Sequence, residues 1–373
     1  MTAELHRRTG FEIELMAPPG HSRRSLARNL ADRCGGRVHP VWHHDSEPSL
    51  VPGLGRFLHL TQGFAVRRAD GTPLCSLVDD VTLTAGLDPR TPAPPGWFRI
   101  LSDDQRLLSL LAAHSDPGGT LPAALDATAQ LWGSKVHRHD DVYRLDDASG
   151  ATIALAAPQG GERERACEIV TPPLSTGHGA ALEELLGPAR ELGFTIPREA
   201  AVHLHIDGAP FREPHALANV VRLFAHWREP LRLLLQTNPA CRRLAPLPGP
   251  LVDAVAGLPS TDDLRKAAAE GGLTKFFDVN LTQLLTDTPI RDTIEIRILP
   301  GALTADDILN RAGLVELLLD RCVDPEPVPA PPADPDAAIE QLLHLAARTL
   351  AAREDAREDA RGLTPPTTPP RRS

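Results

Sequence analysis

The chain has 373 residues, 42% hydrophobic and 24% charged, enough for one large or two medium domains with a sizeable core. Its formal net charge of −10 excludes a protein built to grip nucleic-acid phosphates, though a single metal-neutralised nucleotide remains compatible with it. Five scattered cysteines without a C-x-x-C pair argue against a disulfide framework or structural zinc, and no apolar run approaches a membrane span, so the chain reads as soluble and cytoplasmic.

In chain order, GFEIELM at 10–16 alternates as a strand. A helix is expected from Ser22 to Cys34, with Ser22 as N-cap and Gly35-Gly36 as the stop. Segment 56–84 reads as strands turned around Ala69-Asp70-Gly71, and 88–96 as a proline-rich loop before short helices at 103–114 and 121–131. Strands follow at VYRL, ATIALAA and ACEIV, with the loop PQGGERER between the last two. Helices over 178–193 and 212–237 flank the strand AVHLHID at 201–207. A Pro/Gly-rich loop at 244–260 leads to a short helix, the segment KFFDVNL, a strand at 293–299 and a helix at 304–321. A catalytic domain over 1–322 is therefore expected, then a Pro-rich linker at 323–334, a helix at 335–361 and a disordered tail at 362–373. EDAREDAR reads as a solvated helical face, and the C-terminal helix as a surface for a protein partner.

Strand geometry sorts the polar residues. Glu12 and Glu14 are two apart, so an extended backbone points both to one face, with Phe11, Ile13 and Leu15 on the other. His203, His205 and Asp207 share a face opposite Val202, Leu204 and Ile206, and Glu295 and Arg297 one opposite Ile294, Ile296 and Ile298. Glu168 sits near the end of ACEIV. Any one of these strands could be an amphipathic strand with a wet face. Together they describe a sheet face carrying Glu, His and Arg, and carboxylates so gathered repel one another unless cations neutralise them. Oxygen ligands with an imidazole favour Mg²⁺ or Mn²⁺, and Arg297 would meet an anionic phosphoryl or carboxylate group. His43-His44-Asp45 and the H-R-H-D-D run at 137–141 read as loop or surface segments. P-loop and dinucleotide-binding glycine motifs are absent.

The ordered motifs GFEIEL, CEIVTPPL, VHLHID, KFFDVNL and TIEIRILPG resemble the amidoligase family of the carboxylate-amine ligase superfamily, relatives of glutamine synthetase and glutamate–cysteine ligase. The resemblance covers roughly residues 10–322. It implies an α+β fold: a twisted, mainly antiparallel sheet whose concave face holds ATP with Mg²⁺ or Mn²⁺, helices packed behind. Glu12, Glu14, Glu168, His203 and Glu295 match its metal ligands, and Arg297 a phosphate or substrate contact. His205 would contact a phosphate, and Arg242, Arg243, Lys275 and Asn280 would lie near nucleotide or substrate. The implied activity is ATP-dependent joining of a small-molecule or peptide carboxylate to an amine. The chain departs from the family pattern at Phe276 and Phe277, at DDASG with PQGGERER after it, and at Asp207-Gly208. A guanidino-kinase-like phosphoryl transferase, a metallohydrolase centred on His203, His205 and Asp207, and a degenerate scaffold are the alternatives.

Overall fold

The computed structural model describes residues 4–48 and 56–362; of the tail expected to be disordered, 363–373 lie outside the described residues. The first elements are β1 (Thr9–Met16), α1 (Arg23–Arg33), β2 (Arg37–Pro48), β3 (Arg56–Arg67), β4 (Pro73–Val78), β5 (Phe98–Ser102), α2 (Gln105–His114) and α3 (Asp126–Leu131). Then come β6 (Val136–His139), β7 (Val142–Asp146), β8 (Thr152–Pro158), β9 (Ala166–Val170), α4 (His178–Glu191), β10 (Ala201–Asp207), α5 (Pro214–His226) and α6 (Arg228–Leu235). The chain continues through α7 (Gly249–Ala254), α8 (Thr261–Glu270), β11 (Val279–Asn280), α9 (Thr282–Leu285), β12 (Thr293–Pro300), α10 (Ala305–Val323) and α11 (Pro335–Gly362).

Among the described residues the strands form one antiparallel sheet in the order β11-β12-β10-β1-β9-β4-β3-β5-β8-β7-β6, with β2 pairing β3 at its side. With its helices this makes the α+β class expected. Period two decides which face is dry: Phe11, Ile13, Leu15, Val202, Leu204, Ile206, Ile294, Ile296 and Ile298 are buried in one cluster with α1, α4, α5 and α10. A second cluster packs Leu108 and Leu111 of α2 against Ile100, Leu145 and Ala156 on β5, β7 and β8. α1 starts where expected: Ser22 and Ser25 form a capping box, Ser22 N donating to Ser25 Oγ at 2.8 Å.

Three local expectations change, and one segment left without an assignment gains one. Residues 212–237 form two helices, because fully buried Trp227 sits at the junction and donates its indole N–H to Pro329 O at 2.8 Å. The loop at 244–260 contains α7, opened by Pro248 and Pro250. KFFDVNL contributes only the short β11. Segment 37–48 is a strand whose Pro40 and histidines hide its alternation; it pairs on one side only, where proline costs no ladder bond.

The proline-rich stretch after α10 is docked: Asn219 Nδ2 donates to the carbonyls of Cys322, Asp324 and Glu326. α11 buries Ala338, Leu342, Leu345 and Ala346 in the main cluster, and Arg353 reaches Glu316 at 3.0 Å. A chain ending at Ala333 is expected to lose roughly 3–6 kcal/mol from the two leucines alone. Urea unfolding against the full chain checks this, and an unshifted midpoint would mean that α11 adds nothing to the fold. No described helix is long and apolar enough to cross a membrane.

Candidate active site

Strand register assembles the polar face. Glu12 lies opposite His203, Gly10 opposite His205, and Glu14 opposite Glu168. Glu295 lies opposite His205 on one side and Asn280 on the other. These pairings join chain segments as far apart as those of Gly10 and His205, yet they set the side chains in contact. Glu12 Oε2 is 3.2 Å from His203 Nδ1, and Glu12 Oε1 is 2.9 Å from His205 Nε2. His203 also lies 3.6 Å from Glu14 and 3.8 Å from Glu295. Asn280 Nδ2 donates to Glu295 Oε2 at 2.7 Å, and Arg297 bonds the other Glu295 oxygen. The Ala201 backbone N–H donates to Glu14 Oε2 at 2.8 Å.

A cavity of about 340 Å³ opens over this face, lined by Glu12, Glu168, His203, His205, Glu295 and Arg297 with Arg243, Lys275 and Asn280. Arg242 lines a smaller adjoining cavity with Glu14 and Arg297. Arg243 has a left-handed backbone (φ 65°) and places its guanidinium 4.9 Å from the Phe276 ring centroid. A non-glycine residue there is strained and is held by its surroundings. Lys275 Nζ lies 5.5 Å from the same ring. The nine residues singled out beforehand that line the main cavity thus combine an acidic floor with a cationic rim.

Several lining residues were missed or misjudged, His44 among them. His43 and Asp45, expected in a loop or on the surface, stand on β2 and face the cavity. Pairing with β3 brings them in, and a single segment carries no sign of that long-range contact. Asp79 and Asp80 follow β4 and line the same space; their adjacency at a strand end was the only available signal. Asp79 is fully buried, taking a hydrogen bond from Gln159 Nε2 at 2.6 Å and a salt bridge from Arg163. Both partners lie in the PQGGERER segment, so one departure from the family pattern holds this carboxylate in place. The H-R-H-D-D run is exposed, as read.

The carboxyl groups divide by environment. Burial raises the affinity of Glu12 for its proton, but His205 and His203 outweigh it and hold the group well below the usual carboxylate range. Glu295 is likewise lowered against burial, chiefly by Arg297. Burial, reinforced by the Asp80 charge, pushes Glu14 well up. Burial with Glu12, Asp80 and Glu14 does the same to Glu168. His205 is raised because the Glu12 charge outweighs its desolvation.

Two groups of ligand atoms lie within 4.8 Å of one another among the described residues: Glu12–His205–Glu295 and Glu12–Glu168–His203. Glu12 belongs to both, Glu14 to neither. Carboxylate oxygens with one imidazole suit Mg²⁺ or Mn²⁺. A family model described as "putative amidoligase enzyme" matches residues 5–318. No curated protein and no solved structure matches the chain. Since that match runs from before β1 to within α10, across every strand that builds the acid–imidazole face, the chain belongs to this amidoligase enzyme family.

Proposed function

We propose that the protein is an ATP-dependent carboxylate–amine ligase working with Mg²⁺ or Mn²⁺, its sheet face serving as the concave platform of a glutamine-synthetase-like domain. The observation that carries this reading is the pair of ligand groups sharing Glu12 beneath a cationic rim. Glu12, Glu168, His203, His205 and Glu295 would hold the ions. When bound, these would screen phosphate charge and orient the transferred group. Arg297, fixed by Glu295, would face the phosphoryl oxygens, with Arg242, Arg243 and Lys275 receiving the rest of the nucleotide or the acid. Asn280 positions Glu295. A carboxylate oxygen takes the γ-phosphoryl group as its bond to ADP breaks; the neutral amine nitrogen then bonds the activated carbonyl carbon and gives up a proton as the carbon–oxygen bond to phosphate breaks and inorganic phosphate leaves. A protein nucleophile is unnecessary, and the thiol lining the adjoining cavity is held protonated: burial pushes Cys241 up to about 12.

Calorimetric titration of ATP with Mg²⁺ or Mn²⁺, and again with EDTA, tests the reading. Metal-dependent binding and an amide product support it; a stable phosphorylated product instead would mark a phosphoryl transferase, and no binding would remove the nucleotide. A pH dependence follows. Glu168 holds its proton above the ordinary carboxylate range, so a metal ion bound there must displace it and binding releases a proton. Affinity is therefore expected to rise with pH beyond that range, and calorimetry in buffers of different ionisation heat reads the protons released. PH-independent affinity would contradict it.

A further inference from the structure

The cationic rim of the main cavity is carried by two irregular segments. Arg242 and Arg243 lie between α6 and α7, and Lys275 and Phe276 lie between α8 and β11. Neither segment holds itself in place. β11 makes only two pairs with β12, and Arg243 has a left-handed backbone that its surroundings must impose. The segments hold each other instead. Ala245 N donates to Phe276 O at 3.1 Å, and Asp278 N donates to Ala245 O at 3.1 Å. Arg297 N donates to Asp278 O, also at 3.1 Å, which joins both segments to β12.

The Asp278 side chain is buried at that junction and lines neither of the two cavities over the polar face. A carboxylate so placed is costly unless it is paired. Arg232 Nη1 donates to Asp278 Oδ1 at 2.8 Å, and Arg228 Nε lies 2.8 Å from Oδ2. The two arginines stand one turn apart on α6, so a single helix face grips the carboxylate. Arg228 also donates to the Leu244 carbonyl at 3.2 Å, next to Arg243. Helix α6 is itself seated on β12, because Thr237 just beyond it donates Oγ1 to Ile298 O at 2.7 Å. The clamp thus touches both rim segments and the strand of Glu295 and Arg297 without reaching the cavity.

We propose that Asp278 is a positioning residue: gripped by Arg228 and Arg232, it sets Arg243, Lys275 and Arg297 over the acidic floor. Its effect on nucleotide binding rests on the ligase reading; the placement itself does not. The test is fluorine NMR on the full chain carrying para-fluorophenylalanine, with the Phe276 signal assigned by Phe276→Leu. That ring lies 4.9 Å from the Arg243 guanidinium and 5.5 Å from Lys275 Nζ, so its shift reports where the rim stands. Asp278→Asn should move or broaden the Phe276 signal and weaken binding of ATP with Mg²⁺ by about tenfold. Arg232→Met should do the same, and decides the matter if the first variant does not fold. Leu111→Ala, in the second core cluster, costs stability by leaving a void and should change neither readout. A Phe276 signal unmoved in the clamp variants, or moved as far in Leu111→Ala, would overturn the proposal. Unaltered ATP affinity in the clamp variants of a parent that binds ATP would do so too. A parent that binds no ATP, with the Phe276 signal moving as expected, would remove the nucleotide from the ligase reading and leave this placement standing.

Discussion

Glu295→Gln is expected to lower metal-dependent ATP turnover by roughly 10³-fold with the fold retained, a loss at the upper end of that for a single charge-stabilising group. Glu295 is held by Asn280 and Arg297 and belongs to one of the two ligand groups. The amide has the same size, so Ile294 and Ile296 beside it stay in the core. Yet its NH₂ group cannot accept, and facing Arg297 it sets donor against donor. Arg297 then loses the carboxylate that orients it. The cost in stability is on the order of 3 kcal/mol, as for a buried pair that loses one partner. Because Glu295 is lowered in the fold, that contribution is present above the ordinary carboxylate range and fades as pH falls through the lowered value. The stability gap between wild type and variant should therefore close in acid. Assays of ADP release, with circular dichroism and thermal melts at several pH values, decide the matter; unchanged turnover in a folded variant would sink the site assignment.

Much of this site was legible because strand periodicity is a local property. Glu12 with Glu14, His203 with His205 and Glu295 with Arg297 must share faces once their segments are extended, and their apolar neighbours report which face is dry. Register is not local. That Gly10 would lie beside His205, or that β2 would bring His43 and Asp45 over the cavity, depends on pairings between distant segments. Pro40 also breaks the alternation that would have marked β2 as a strand. Asp79 and Asp80 follow β4, and the burial of Asp79 depends on Arg163 and Gln159 from a loop 80 or so residues away. Trp227 could not be read as a helix break, because what stops the helix there includes its bond to Pro329, from beyond α10.

At Glu168 the sign on stability reverses. Glu168→Gln is expected to stabilise the metal-free protein by about 1–2 kcal/mol at neutral to mildly alkaline pH, while removing most metal-dependent turnover. The carboxyl is buried, and Glu12, Asp80 and Glu14 all oppose its charge. A group raised in the fold contributes its stability below the unfolded value and loses it as pH climbs through the folded one. Wild type therefore weakens with rising pH where the neutral amide does not. The advantage of the variant should grow with pH and vanish below about pH 4, where both side chains are uncharged. Saturating Mn²⁺ should invert the order, because the ion stabilises only the chain that binds it. Melts in EDTA and in Mn²⁺ across pH 4 to 9 would show the crossing. A variant less stable than wild type in EDTA at pH 8 would make Glu168 a structural group. The predicted pattern, less stable without metal and more stable with it, would mean that the fold tolerates these carboxylates for the sake of the cations they bind.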